Sequence, residues 1–144
     1  MKKPILRNFL AILAAFLIAA VFVLGIEAHG HRLYPLPEGF NSADLEQVAQ
    51  YVKTAPTGAL LFVLLAQSAG SFVGGAVTGF LASSRKTLIA LLYGVLALLM
   101  AALNVLLIPH PGWMVGLALL LPIPLALVGS KIAQSTLPRS QTIG

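Results

Sequence analysis

Hydrophobic residues fill four long runs of the chain, and none of these runs contains Lys, Arg, Asp or Glu. The runs cover residues 9–26, 57–84, 87–108 and 113–130. A helix needs roughly 17–25 residues to cross a hydrocarbon core of about 30 Å. Because backbone polar groups in lipid must bond within their own segment, the pattern predicts four membrane-spanning helices.

The connections between the runs predict an all-α fold, an antiparallel bundle of four transmembrane helices. Residues 83–86 and 109–112 form tight turns, so we expect the second, third and fourth spans to be antiparallel neighbours. Pro122 and Pro124 each remove a helix hydrogen bond and predict a break in the fourth span. The expected organisation is one transmembrane domain over residues 1–132, with a periplasmic loop over 27–56 and a cytoplasmic tail over 133–144.

The loop over residues 27–56 is the only sizeable segment outside the spans. Its second half predicts a short periplasmic amphipathic helix that Asn41 or Ser42 caps and that ends near Lys53. The apolar positions of this helix recur at helical spacing: Leu45, Val48, Ala49 and Val52. We expect the helix to lie flat on the membrane surface; a lid over a binding site is the alternative.

Composition excludes an ordinary soluble domain. The 144 residues are 58% hydrophobic and 9% charged, whereas soluble domains have about 25% charged residues. The net charge of +5 comes from basic residues that flank the spans, so we expect contact with membrane lipid and not with nucleic acid. The chain has no cysteine, which excludes disulfides, thiolate metal sites and a cysteine nucleophile.

The basic residues also predict the orientation. If the spans alternate, seven Lys and Arg residues share the side of the termini, and two share the other side with all four acids. The positive-inside rule then places both termini in the cytoplasm of a bacterium, with the protein in its inner membrane. The first run resembles a secretory signal, but it is too long and lacks a small-x-small cleavage site, so we expect it to stay attached.

The second span carries small residues at four-residue spacing. Such stripes let helix backbones approach closely and drive association in lipid. They predict either packing within the chain or a structural or accessory interaction role, by self-association into a homo-oligomer or by docking to a larger membrane complex. The residues assigned to helix packing and interaction are Gly70, Ser71, Gly74, Gly75 and Gly79.

Polar chemistry gathers where the spans reach the periplasmic side. Glu27 and His31 are four residues apart, so a continuing helix places them on one face. Together with His110 they make a candidate site for a divalent metal, because carboxylate and imidazole suit Zn²⁺. His29 and Asn104 lie near the same level. The alternative function is therefore a periplasm-facing protein that binds or transports a metal or a small solute; ordinary interfacial polar groups are the simpler interpretation.

The apolar runs of the chain lack the residues that catalysis and ion-coupled transport require. The four apolar runs contain no charged group, and ion-coupled transport usually depends on ionisable groups inside the membrane. Ser68 lacks the preceding glycine of an intramembrane serine nucleophile, and the only plausible base, His110, lies at the surface. We expect no catalytic residue, no cofactor and no enzyme activity.

Three short motifs resemble those of a group of small uncharacterised four-helix bacterial inner-membrane proteins. The first runs from Glu27-Ala28 through Gly30-His31 to Tyr34-Pro35, Pro37 and Gly39; the second covers residues 69–75; the third is Pro109-His110-Pro111 with Trp113. The resemblance extends over residues 20–130. It implies the same four-span topology, directs attention to Glu27, His31 and His110, and implies no particular activity.

Overall fold

The computed structural model describes residues 2–138, and this part of the chain is helical without any strand. Four of its helices are long and apolar enough to cross a membrane, when the two that meet at Leu121 are counted as one. The prediction of an all-helical chain with four long apolar helices is therefore confirmed. The helices are α1 (Lys2–Leu33), α2 (Leu45–Thr54), α3 (Thr57–Leu81), α4 (Lys86–Leu107), α5 (Gly112–Leu120) and α6 (Pro122–Thr136).

Two helices continue past the C-terminal ends of their hydrophobic runs, and the fourth span is divided before its first proline. α1 continues seven residues beyond the end of its apolar run at residue 26, to Leu33. α6 continues to Thr136, past residue 133 where the tail was expected to begin, and the tail residues 139–144 lie outside the described part. The predicted break in the fourth span is at Leu121, directly before Pro122, where a proline in the first helical turn loses no hydrogen bond.

α3 is the central helix and packs against α1, α4, α5 and α6. Its glycines allow the close approaches: a Cβ at Gly75 would overlap the backbone of Ala126 on α6, and one at Gly74 would overlap the ring of Tyr93 on α4. The Tyr93 hydroxyl, 2.9 Å from the Gly70 carbonyl, donates a buried hydrogen bond to it. The small residues of α3 thus bring three helices together.

One end of the bundle is joined by basic and polar side chains, and we call it the basic end (Arg7, Asn8, Ser83 and Lys86). Arg7 Nε donates to the carbonyl of Leu81 at 3.0 Å, and Lys86 Nζ donates to that of Gly79 at 2.8 Å. These cations satisfy carbonyls of the last turn of α3 that have no helical partner. Asn8 Oδ1 accepts from the Ser83 backbone N–H at 2.9 Å. The start of α1 therefore lies beside the end of α3.

The opposite end of the bundle carries α2. The predicted short helix is confirmed, but the prediction of its cap was wrong: Asp44, not Asn41 or Ser42, is the N-cap residue. Its carboxylate accepts from the backbone N–H groups of Glu46 and Gln47. The apolar face of α2 inserts Val52 into a cluster that α3, α4 and α5 complete, with Leu60, Ile108 and Met114. Protein contacts thus occupy a face that was expected to lie on lipid.

Removing the Asp44 carboxylate should loosen α2 without affecting the bundle. We expect Asp44→Ala to destabilise α2 by about 1 kcal/mol, because two backbone N–H groups lose their acceptor. Hydrogen exchange of the amides of residues 45–54 measures this loss. Ser42→Ala is the matched control, since Ser42 was a predicted cap and is not the observed one. Equal protection in both variants would contradict the assignment.

Candidate functional site

A cavity of about 380 Å³ lies beneath α2, and we call it the α2 cavity. Its wall comes from the last turns of α1, the loop before α2, α2 itself, the first turns of α3, the end of α4 and the turn into α5. Most of the lining side chains are apolar. Pockets that bind small molecules have volumes of roughly 300–1,000 Å³ and combine an apolar wall with a few polar groups. The cavity fits that description.

The continuation of α1 brings the first polar groups to this cavity. Glu27, His31 and Tyr34 line it, together with Gly30 between them. Because α1 stays helical through Leu33, residues three and four apart share one face. Glu27 is half-buried and His31 is exposed. His29 is on another face, and its ring centroid is 6.1 Å from that of Phe62.

α4 and the following turn bring two more polar groups to the same cavity, Asn104 and His110. The carbonyl of Ile108, 2.7 Å away, accepts a hydrogen bond from Nδ1 of His110. This bond holds the imidazole against its own turn. The other ring nitrogen, Nε2, takes no part in it. The three predicted site residues Glu27, His31 and His110 therefore line one cavity.

The metal interpretation gains no support from this arrangement. Within residues 2–138, no group of three or more His, Asp or Glu side chains is placed to hold a metal ion. The assignment of Glu27, His31 and His110 as metal ligands stays a prediction.

Four aromatic residues of the cavity wall were not singled out as site residues from the sequence. They form two pairs: the ring centroids of Tyr34 and Phe62 are 6.2 Å apart, and those of Phe40 and Tyr51 are 5.5 Å apart. Glycine makes room for the first pair, because a Cβ at Gly30 would be 2.9 Å from the Phe62 side chain. Gly30 and Tyr34 are four residues apart, which places them on one helix face. Phe62, which packs against both, is distant in sequence.

The small residues of α3 are buried inside this chain. A Cβ at Gly70 would be 2.7 Å from the Val23 side chain of α1, and one at Gly79 would be 2.7 Å from the Ser130 carbonyl of α6. Gly74 and Gly75 contact α4 and α6 as described above, and the hydroxyl of buried Ser71 donates to the Gln67 carbonyl at 3.0 Å. The contacts favour packing within the chain over a surface for a partner.

Comparison with protein-family models, with curated proteins and with solved structures gives no match for this chain. The site is therefore interpreted from its own residues.

Proposed function

We propose that this chain is a multi-pass protein of a bacterial inner membrane that binds a small amphipathic solute in the α2 cavity. The four long helices cross the membrane as an antiparallel bundle, with both termini in the cytoplasm and the α2 cavity at the periplasmic side. The observation that carries the proposal is the cavity itself, a ligand-sized space where an apolar wall meets a few polar groups.

The distribution of charge and of apolar surface supports this placement. Arg7 and Lys86 both lie at the basic end, whereas Glu27 lies at the other end beside the cavity. A basic cytoplasmic side is what the positive-inside rule requires. Many large apolar side chains point away from the bundle; Leu106 is 81% exposed and Val21 70%. Lipid is the environment in which such a surface is stable.

An accessory role through the glycines of α3 stays a prediction. Self-association, or docking to a larger membrane complex, needs a free small-residue surface, and the contacts of Gly74 and Gly75 lie within the chain. The α2 cavity, by contrast, is an open space of about 380 Å³ among the described residues. Solute binding is therefore the function that the geometry supports best.

Saturable binding of a simple amphipath tests the proposal. The purified chain in dodecyl maltoside micelles is dialysed against 4-phenylbutan-1-ol, with empty micelles as the blank. We expect one saturable site per chain. Val63→Trp should weaken binding at least about tenfold, because Val63 lines the cavity and indole would fill part of it.

Val128→Trp is the matched control for this test. Val128 is 48% exposed on α6 and lies outside the cavity lining, so the same substitution there should leave binding unchanged. If neither 4-phenylbutan-1-ol nor 4-phenylbutylamine shows uptake above empty micelles, the proposed function is wrong. Equal loss in both tryptophan variants would also contradict a site in the α2 cavity.

A further inference from the structure

We propose that the solute of the α2 cavity is an organic cation, an ammonium group that carries an apolar substituent. Glu27 is its counter-ion, and the two aromatic pairs form the wall around the charged group. This inference rests on the proposed function and adds the chemical class of the ligand.

The charge of the lining selects a cation. Glu27 contributes the carboxylate of the cavity wall, and no Lys or Arg is among the lining residues within the described range 2–138. The other titratable groups of the wall are His31, His110 and the two tyrosines. No lysine or arginine of the wall offsets the carboxylate of Glu27 within the described range. A half-buried carboxylate gains from a cationic partner, because burial removes part of its hydration.

The aromatic pairs supply the second half of the recognition. Tyr34 and Phe62 come from the end of α1 and the start of α3, and Phe40 and Tyr51 come from the loop and α2. Four rings from four segments thus line one space. Aromatic faces attract ammonium groups, and the attraction is strongest where both are shielded from water. Aromatic rings and a carboxylate that line one cavity favour an alkylated ammonium over a small hydrated ion.

The apolar remainder of the cavity accommodates the substituent. Leu60, Ile108 and Met114 are buried and line the wall on the side of α3, α4 and α5. A ligand with its ammonium group at Glu27 therefore has apolar side chains beside its other end. Amphipathic cations match both parts of the wall, whereas a sugar or an inorganic ion matches neither.

Three probes of the same shape separate charge from hydrophobicity. Binding of 4-phenylbutylamine, 4-phenylbutan-1-ol and 4-phenylbutanoate is measured by equilibrium dialysis at pH 8 in dodecyl maltoside. We expect the amine to bind at least about tenfold more tightly than the alcohol, and the carboxylate to bind most weakly. In Glu27→Gln the amine should lose this advantage, while the affinity for the alcohol stays within about twofold of that of the parent.

Glu38→Gln is the matched control, because Glu38 is exposed in the loop between α1 and α2 and is not part of the cavity lining. It should keep the full preference for the amine, and so should Glu27→Asp, which retains the charge. If Glu27→Gln fails to fold, Glu27→Asp and the three probes on the parent still decide the question. An amine that binds no better than the alcohol, or a preference that survives in Glu27→Gln, overturns the inference. If the parent chain binds none of the three probes, the proposed function itself is wrong.

The ammonium group could belong to a free amine or to a lipid headgroup, and added lipid distinguishes these sources. Phosphatidylethanolamine and phosphatidylglycerol are added to the micelles in separate titrations with 4-phenylbutylamine. Competition by phosphatidylethanolamine alone assigns the cavity to an aminolipid headgroup. Absence of competition by both assigns it to a free amphipathic amine. Competition by phosphatidylglycerol alone, which has no ammonium group, contradicts the inference.

Discussion

Alanine at Gly75 is expected to destabilise the bundle, although alanine is the better helix former. The new Cβ would overlap the carbonyl and the Cα of Ala126, and backbone atoms cannot move aside by a rotamer change. Overpacking of this kind costs typically about 1–3 kcal/mol. α6 would have to move away from α3 and lose the van der Waals contacts that close approach provides.

Gly116→Ala provides the matched control. A Cβ at Gly116 on α5 meets no atom within 4 Å, so this variant should gain up to about 1 kcal/mol from helix propensity. Unfolding by SDS in dodecyl maltoside micelles, followed by far-UV circular dichroism, measures both changes. Shifts of the same sign at the two positions would contradict the packing of α3 against α6.

The same variants separate packing within the chain from association between chains. If the small residues of α3 joined two copies, Gly75→Ala would lower the oligomeric mass in native mass spectrometry. Packing within the chain predicts a lower unfolding midpoint and an unchanged mass. The accessory role and the observed contacts of Gly75 therefore lead to different results.

Tyr93 is expected to contribute more to stability than other residues of α4. Its ring is 2% exposed and packs against Phe16, with ring centroids 4.8 Å apart. Tyr93→Ala should cost about 3 kcal/mol, at the low end of the range for a buried aromatic residue.

Tyr93→Phe should cost about 0.6–2 kcal/mol, because the ring stays and only the hydrogen bond to the Gly70 carbonyl is lost. Leu96→Ala is the control on the same helix; Leu96 is 42% exposed, and we expect a change within about 0.5 kcal/mol. SDS unfolding midpoints give all three values. If Tyr93→Ala and Leu96→Ala cost the same, Tyr93 does not hold α3 and α4 together.

The sequence predicts the helices of this chain better than it predicts where they end. Four apolar runs identify four long helices, because lipid permits few alternatives for so long an uncharged segment. The end of α1 is different: the apolar run ends before Glu27, but the helix continues through His31 and Arg32. Hydropathy indicates where the chain changes from apolar to polar side chains. A helix, in contrast, continues as long as its backbone hydrogen bonds form. Basic residues in the last turn even favour it through the helix dipole.

The cap of α2 shows a similar limit. Asn41, Ser42 and Asp44 are all good N-cap residues, and the local sequence does not decide among them. In the structure the Asn41 side chain accepts from the Ala43 backbone N–H at 3.0 Å. Asn41 therefore forms a turn of its own, and Asp44 is left to cap the helix.

The sequence predicts the polar residues of the candidate site but not its aromatic residues. Glu27, His31, Asn104 and His110 were expected near one level because each lies close to the same end of a span. The pair of Tyr34 and Phe62 depends on a contact between α1 and α3 over Gly30. Such a contact joins residues far apart in sequence, and no local pattern encodes it. The cavity, which needs six separate segments, is likewise a property of the folded chain.

Photolabelling tests the central claim, solute binding in the α2 cavity, most directly. A 4-phenylbutylamine with a diazirine on its ring is photolysed with the chain in micelles, and labelled residues are mapped by mass spectrometry. Binding in the α2 cavity predicts labels on residues of the cavity wall such as Phe62 and Val63, which excess unlabelled amine removes. Labels spread over exposed apolar residues outside the cavity, such as Leu106 and Leu120, 81% and 68% exposed, and unaffected by excess amine would contradict it.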